Sequence, residues 1–378
     1  MDLTRTAYGT WNGGRFMHFG EPLDEGRYCD AIRHAHASGI RTFLTADVYG
    51  AGEADALVGR ALEGIPRDSY CLVGAVGHDF YNGERQGAKG YPRFTHSGLR
   101  TPRDYRGYLR MAVERSLERC KVDRFDCLLL HNPDRTGYAS DAVWSAMASL
   151  RDDRLTDRLG VAPGPANGFT LDLLLCFERF GPLLDWAMII LNPLEPWPGT
   201  LCLGAAAKHE IKVLTRVVDH GGLFHGDVKP GHPFGPKDHR TFRPAGWVES
   251  GNAKIETMRP IADQHGLSLL QLACLWNLAH TPVESVVPTL IQEAGPDARP
   301  IERKIDDLAA LPDSTLTPAE VEEIRRIGDN TGCMALKGGS PEHTGEALPD
   351  RWAIEPDLAD VAARWQIDPA HDLICTHP

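Results

Sequence analysis

Long apolar runs are missing from this sequence: no window approaches the roughly 18 uninterrupted apolar residues of a membrane span, so no spanning helix is expected. Positive charge is in deficit as well. The 40 Lys+Arg stand against 52 Asp+Glu, a formal net charge of −12, whereas a nucleic-acid interface needs a surplus of clustered cations. Residues 1–11 (MDLTRTAYGTW) lack the cationic and apolar regions of a signal peptide, and a cytoplasmic location is the expectation. Metal-type cysteine motifs are absent. Nine cysteines, an odd number, are scattered from Cys29 to Cys375 with no CxxC and no Cys/His cluster at zinc spacing, and Cys71, Cys127, Cys176 and Cys274 lie in apolar runs. Reduced, buried thiols follow. Nor is there a low-complexity tract, or any HxxxH or HExxH spacing on a helical stretch. The remainder is ordinary: 42% apolar and 24% charged residues across 378 positions can bury a large core, which excludes disorder as the main state.

What the chain does contain is alternation. Short apolar runs at 6–11, 42–46, 71–76, 127–130, 159–161, 186–191, 212–217 and 284–288 read as eight strands, too apolar to face water on either side. Amphipathic stretches at 25–38, 53–62, 102–120, 140–153, 171–180, 200–208, 253–264 and 268–280 read as helices. Eight strand-then-helix units predict an α/β fold, a single (β/α)8 TIM barrel over 1–329, with its functional residues in the segments after the strands. Two of those segments, 77–100 and 221–246, are long and rich in Gly, Pro, His and aromatics, the composition of ordered binding loops at the catalytic face. Thr317-Pro318-Ala319-Glu320 predicts a capping box opening a helix to about Gly328. Residues 330–378 are expected to form a C-terminal tail packed on the barrel, with a short helix near 358–365.

Gly39-Ile40-Arg41-Thr42-Phe43-Leu44-Thr45-Ala46-Asp47-Val48-Tyr49-Gly50 is similar to a second-strand motif, a glycine, an apolar stretch, then D-T-A-x-x-Y-G. Together with Leu57-Val58-Gly59-Arg60-Ala61-Leu62, Ser116-Leu117-Glu118-Arg119 before Val122-Asp123, and Asp126-Cys127-Leu128-Leu129-Leu130-His131, it makes the sequence resemble the aldo-keto reductases over roughly residues 5–330. The resemblance implies carbonyl–alcohol redox chemistry: a tyrosine donates to the carbonyl oxygen, tuned by a lysine, an aspartate and a histidine, while NADP or NAD delivers hydride. Tyr49 and His131 match the tyrosine and histidine. The aspartate position is Leu44 and the lysine position Ala75, and a phenol with an ordinary pKa near 10 is a poor acid–base group near neutrality without a cation beside it. Where the family holds the nicotinamide with a Ser-Asn pair, a Gln and a stacking aromatic, this chain has Ala162, Pro163, Met188 and Arg216. After Ser285-Val286-Val287-Pro288, Thr289-Leu290-Ile291-Gln292-Glu293 replaces the usual glycine and small basic loop.

The candidate catalytic groups are therefore Tyr49 and His131, with His78-Asp79 as a second acid–base pair, imidazole titrating near pH 6.5 and a carboxylate orienting it; the competing reading is a loop turn in which Asp79 binds backbone amides. Arg216, Asn192, Thr289 and Arg299 are the candidates to meet a nucleotide, with Arg303 and Lys304 nearby. Trp11, Asp47, Tyr81, Asn132, Asp219 and His220 are the candidate substrate contacts. Asp47, His78, Asp79, His131, Asp219 and His220 supply enough oxygen and imidazole donors for a metal, but no spacing brings them together and none is expected. His225, His232, His239, Arg240 and Arg243 decorate the second long loop, as a lid for an anionic group or as a solvated basic loop. The expected activity is that of an aldo-keto reductase-like enzyme on a small carbonyl or sugar-like compound. The alternatives are a lyase or isomerase using Tyr49 and His131 without a cofactor, or a binding protein without turnover. The expected partner is a small molecule, with neither nucleic acid nor membrane; the oligomeric state is not encoded.

Overall fold

The structure, a computed structural model, describes the chain except residues 13–14, 17–18, 86–89, 165–168, 236–237, 297, 334–353 and 374–378, and the side chain of Phe242. Eight parallel strands, β1 (Ala7–Gly9), β2 (Thr42–Leu44), β3 (Cys71–Val76), β4 (Cys127–His131), β5 (Leu159–Ala162), β6 (Trp186–Ile190), β7 (Lys212–Arg216) and β8 (Val283–Val287), pair in sequence order. The ring closes where Thr6 bridges Val286, whose N–H donates to Arg5 O at 3.1 Å. This is the expected (β/α)8 barrel: β1, β2, β6 and β7 stop one or two residues before their apolar runs end, β3 matches its run, β4 and β5 each gain one residue, and β8 is shifted back by one.

Strand alternation splits the core into two shells. Ala7, Leu44, Cys71, Val73, Ala75, Cys127, Leu129, Ala162, Trp186, Met188, Leu214 and Val287 fill the barrel interior. The intervening residues, such as Tyr8, Phe43, Leu72, Leu128, Val161, Ala187 and Val286, pack outward against the helices. Both faces of each strand are thus dry, as a parallel sheet requires.

The outer ring is built from α1 (Glu25–Ala37), α2 (Glu53–Ala61), α3 (Tyr105–Cys120), α4 (Arg135–Ala139), α5 (Asp141–Asp152), α6 (Thr170–Phe180) and α7 (Leu203–Lys208). It continues through α8 (Trp247–Gln264), α9 (Leu269–Leu278), α10 (Ile301–Ala309) and α11 (Pro318–Gly328), with α12 (Pro356–Arg364) and α13 (Pro369–Asp372) beyond. The capping box at α11 forms, Thr317 Oγ1 accepting from Glu320 N. Three helices were not foreseen: α4, α10 and the four-residue α13. The five-residue α4 is started by Asp134, which accepts from Gly137 N at 2.8 Å, and is too short to show a period. In α10, Ile301, Ile305 and Leu308 are buried at helical spacing, in a stretch read from sequence only for Arg303 and Lys304 as groups near a nucleotide. The expected tail falls partly outside the described residues. Its helix α12 lies on α6, where Arg364 Nη2 meets Glu178 at 2.6 Å and Trp365 Nε1 donates to Glu178 at 2.9 Å. Among the described residues no helix is long and apolar enough to cross a membrane.

Candidate functional site

At the C-terminal mouth of the barrel four rings are in sequence: Trp11 lies 4.3 Å from Tyr49, Tyr49 meets His131 edge-on at 5.6 Å, and His131 meets His78 at 5.2 Å. Each comes from the end of a different strand. Tyr49 opens a tight turn after β2, His131 is the last residue of β4, and His78 follows Gly77 at the end of β3. Gly77 is required by close approach: a Cβ there would lie 2.3 Å from His131 O.

Burial sets the protonation of these groups. It pushes the Tyr49 phenol up to about 12, with Arg216 pulling it back and Asp47 adding to the rise. It also holds His131 well below the ordinary imidazole value, an effect reinforced by His78, Arg216 and Arg93. His78 is lowered to about 3, by burial first and then by Arg93. At neutral pH the cluster is therefore a neutral phenol beside two neutral imidazoles, a set of hydrogen-bonding groups rather than a proton shuttle. Leu44 and Ala75 lie in the apolar interior and offer no charged side chain to Tyr49. The charge near Tyr49 is Arg216, which ends β7 and reaches across β6 to donate from Nη2 to Pro163 O at 2.8 Å.

The expected His78–Asp79 pair does not form, because consecutive residues point to opposite sides of the loop. Asp79 turns inward, ion-paired with Arg100 and accepting from Tyr81 N at 3.1 Å and Asn82 N at 2.9 Å. His78 faces Tyr91 O and the Arg93 guanidinium, each 3.1 Å from Nδ1. Asn132, at φ +45, donates its side-chain amide toward His78 Nε2 at 3.2 Å. Asp47 is fully buried, with no hydrogen-bond partner for either oxygen; burial and neighbouring Asp55 push its acid well above the carboxylate range. Tyr81 lies on the same helix-facing side, its hydroxyl 3.0 Å from Arg119 Nη2. Asp47 and Tyr81 therefore belong to the packing behind the mouth.

On the opposite side, Asp219 spends its carboxylate on backbone amides, accepting from Thr289 N at 2.6 Å and Gly222 N at 2.8 Å. His220 lies 3.7 Å from Glu195, a residue not singled out from sequence, and edge-on to Trp247. Asn192 Nδ2 donates to Val217 O at 3.1 Å. Val217 sits at φ +59, a strained region for a β-branched residue, so Asn192 holds the turn that aims Arg216. Arg240 is almost fully buried and ties the second long loop to the segment after β8, through Asp238 at 2.8 Å and Glu293 at 2.9 Å. Arg243 lies over the Trp247 ring at 4.3 Å. Asp47, His78, Asp79, His131, Asp219 and His220 do not converge, and among the described residues no three His, Cys, Asp or Glu side chains form a metal-holding group.

A nicotinamide dinucleotide does not fit these residues in the family's manner. At the ring end Ala162, Pro163 and Met188 offer no amide-holding side chains, and the Arg216 guanidinium occupies the route from β7 to the end of β5. At the phosphate end Asp219 already takes the Thr289 N–H. Lys304 is fully buried on Ile291 O and Asp227, and Arg299 donates to His225 O at 3.2 Å. Arg243 keeps Nε and Nη2 without partners.

Residues 6–327 match the sequence model of the Aldo/keto reductase family. A curated relative from Oryza sativa subsp. japonica, a probable voltage-gated potassium channel subunit beta, is 23% identical over 86% of this chain and 93% of its own. The glycerol dehydrogenase from Gluconobacter oxydans has the same fold at a TM-score of 0.68, with 23% identity over 92% of this chain and 96% of that one. The aldo-keto reductase from Klebsiella pneumoniae in complex with NADPH superposes at a TM-score of 0.57, with 19% identity over 90% and 93% of the two chains.

Proposed function

The chain belongs to the aldo-keto reductase family of oxidoreductases, and from that premise we propose that it acts on a small carbonyl or polyhydroxylated compound whose oxygen is gripped by Tyr49 and His131. The edge-on contact of those two rings at 5.6 Å, walled by Trp11, carries this reading. Neutral donors fixed in a dry site stabilise charge that develops on a carbonyl oxygen without reorganising. The phenol, pushed up to about 12, stays a donor throughout the neutral range. Arg216 adds a fixed positive charge near the same oxygen.

In the family hydride comes from a nicotinamide. Support for NADP or NAD here is the family membership and the shared fold with the Klebsiella protein bound to NADPH; the residues of this chain act on the carbonyl side. A second reading, a lyase or isomerase that works without a nucleotide, is favoured by Arg216 lying where the ring would stack. Calorimetric titration with NADPH and NADH separates the two. Micromolar binding of either supports the redox reading, and no binding up to millimolar concentration removes it.

A further inference from the structure

Burying a guanidinium without a carboxylate is costly, because the lost hydration is not replaced. Arg243, against Trp247, is in that state, and so are two arginines on the Tyr49–His131 side of the mouth. Arg93, from the loop after β3, donates from Nε to Asn132 O, and Nη1 lies 3.1 Å from His78 Nδ1 and 3.4 Å from Tyr91 O. Arg216 donates from Nη2 to Pro163 O, and its buried Nε has no partner. Neither has a carboxylate within ion-pair distance among the described residues. The acid nearest Arg93, Asp134, is engaged by Thr95 Oγ1 at 2.7 Å and Gly137 N at 2.8 Å.

The two side chains are anchored on neighbouring segments, and both lie near His131. Asn132 N donates to Ala162 O at 2.7 Å, so the carbonyls that anchor the guanidiniums, Asn132 O and Pro163 O, stand at the ends of adjacent strands, which run about 5 Å apart. His131 ends the first of those strands, with Nδ1 buried and unpartnered, and both arginines act on it electrostatically. Burial disfavours the charged form of each guanidinium, and a bound anion would relieve that cost.

We propose that Arg93 and Arg216 form a clamp for the carboxylate of the substrate, so that the mouth takes a small carbonyl compound bearing a carboxylate, such as a 2-oxo acid, rather than a neutral sugar. A planar carboxylate accepts one hydrogen bond from each guanidinium edge. Its carbonyl oxygen then reaches Tyr49 and His131 on the same side of the mouth. In a chain of net charge −12 an anion is repelled at long range, and a local pair of cations offsets that repulsion at the mouth. The assignment of the anion to the substrate rests on the proposed function; the clamp itself does not.

The test is calorimetry at low ionic strength on the full chain without nucleotide, using pyruvate, inorganic phosphate and neutral dihydroxyacetone as probes. Pyruvate is expected to bind the wild type more tightly than either other probe. Arg216→Gln and Arg93→Gln, checked by circular dichroism and thermal melting, should each weaken it about tenfold or more, the usual loss when a hydrogen bond to a charged group is removed. Arg216→Lys, which keeps the charge, should recover part of the loss and serves if Arg93→Gln does not fold. The clamp is overturned if pyruvate does not bind, if dihydroxyacetone binds as tightly, or if the arginine variants bind pyruvate like the wild type. Tighter binding of phosphate overturns the carboxylate assignment. Because no turnover is measured, failure of carbonyl reduction leaves this result standing, and the nucleotide titration tests that reading separately.

Discussion

Arg216 Nη2 donates to Pro163 O at 2.8 Å, carrying a positive charge from the end of β7 past β6 to the end of β5. That single bond places a cation at the mouth of the barrel, near the Tyr49 phenol.

If Tyr49 and His131 grip the reacting oxygen, Tyr49→Phe and His131→Ala should each lower turnover about a hundredfold or more, since losing one donor to a developing oxyanion costs about 10²–10³-fold. Steady-state kinetics on the carbonyl substrate, with melting curves to show the fold intact, checks this. Wild-type rates in both variants would exclude the Tyr49–His131 site.

Restoring the family's ion pair should not restore its chemistry. Leu44→Asp or Ala75→Lys alone buries an unpaired charge among apolar residues and should destabilise by several kcal/mol. The double variant pairs the two charges and should recover part of that loss. Carbonyl reduction with NADPH is nevertheless expected to stay at the starting level, because Ala162, Pro163 and Met188 still fail to hold the ring. A clear gain in an NADPH-consumption assay would show that the ring seat is usable.

The second long loop depends on one buried arginine. Arg240→Met leaves Asp238 and Glu293 buried without their shared cation and should cost about 3–5 kcal/mol in urea unfolding. Replacing all three residues by apolar ones should cost less than Arg240→Met alone.

Stability should depend on pH through two groups of opposite sign. His78 is lowered to about 3 in the folded chain, so between that value and its ordinary 6.5 the unfolded chain binds more protons; its contribution is complete above 6.5 and is lost as pH falls. Asp172, buried 4.0 Å from Arg135, is raised to about 7. Between 3.8 and 7 the folded chain holds the extra proton, so this contribution is complete below 3.8 and is lost as pH rises through 7. Chemical denaturation across pH 4–8 should show Asp172→Asn gaining on the wild type as pH rises, and His78→Gln losing the acid-side decline.

The sequence by itself determined the barrel and the candidate pair. Runs apolar on both faces, alternating with amphipathic stretches, leave few ways to bury every strand, whereas which residues of Cys71–Val76 face the interior is decided by the closed barrel. Tyr49 and His131 were legible because they match the tyrosine and histidine of the family the sequence resembles, and because each ends or follows a strand, where a barrel aims its side chains at one face. Local capping at Thr317 and Glu320 was legible for the same reason: it needs only neighbours in the chain. What only the tertiary structure decided are the contacts between segments far apart in sequence. Arg93 and Asn132 are separated by 39 positions, Arg216 and Pro163 by 53, Asp219 and Thr289 by 70. Whether Asp79 faces the mouth or Arg100, and whether Asp219 meets a ligand or a backbone amide, depends on the paths of loops that carry no period. Those paths are set by ring closure and by which buried polar groups must find partners, and both become readable only once all eight strands stand together.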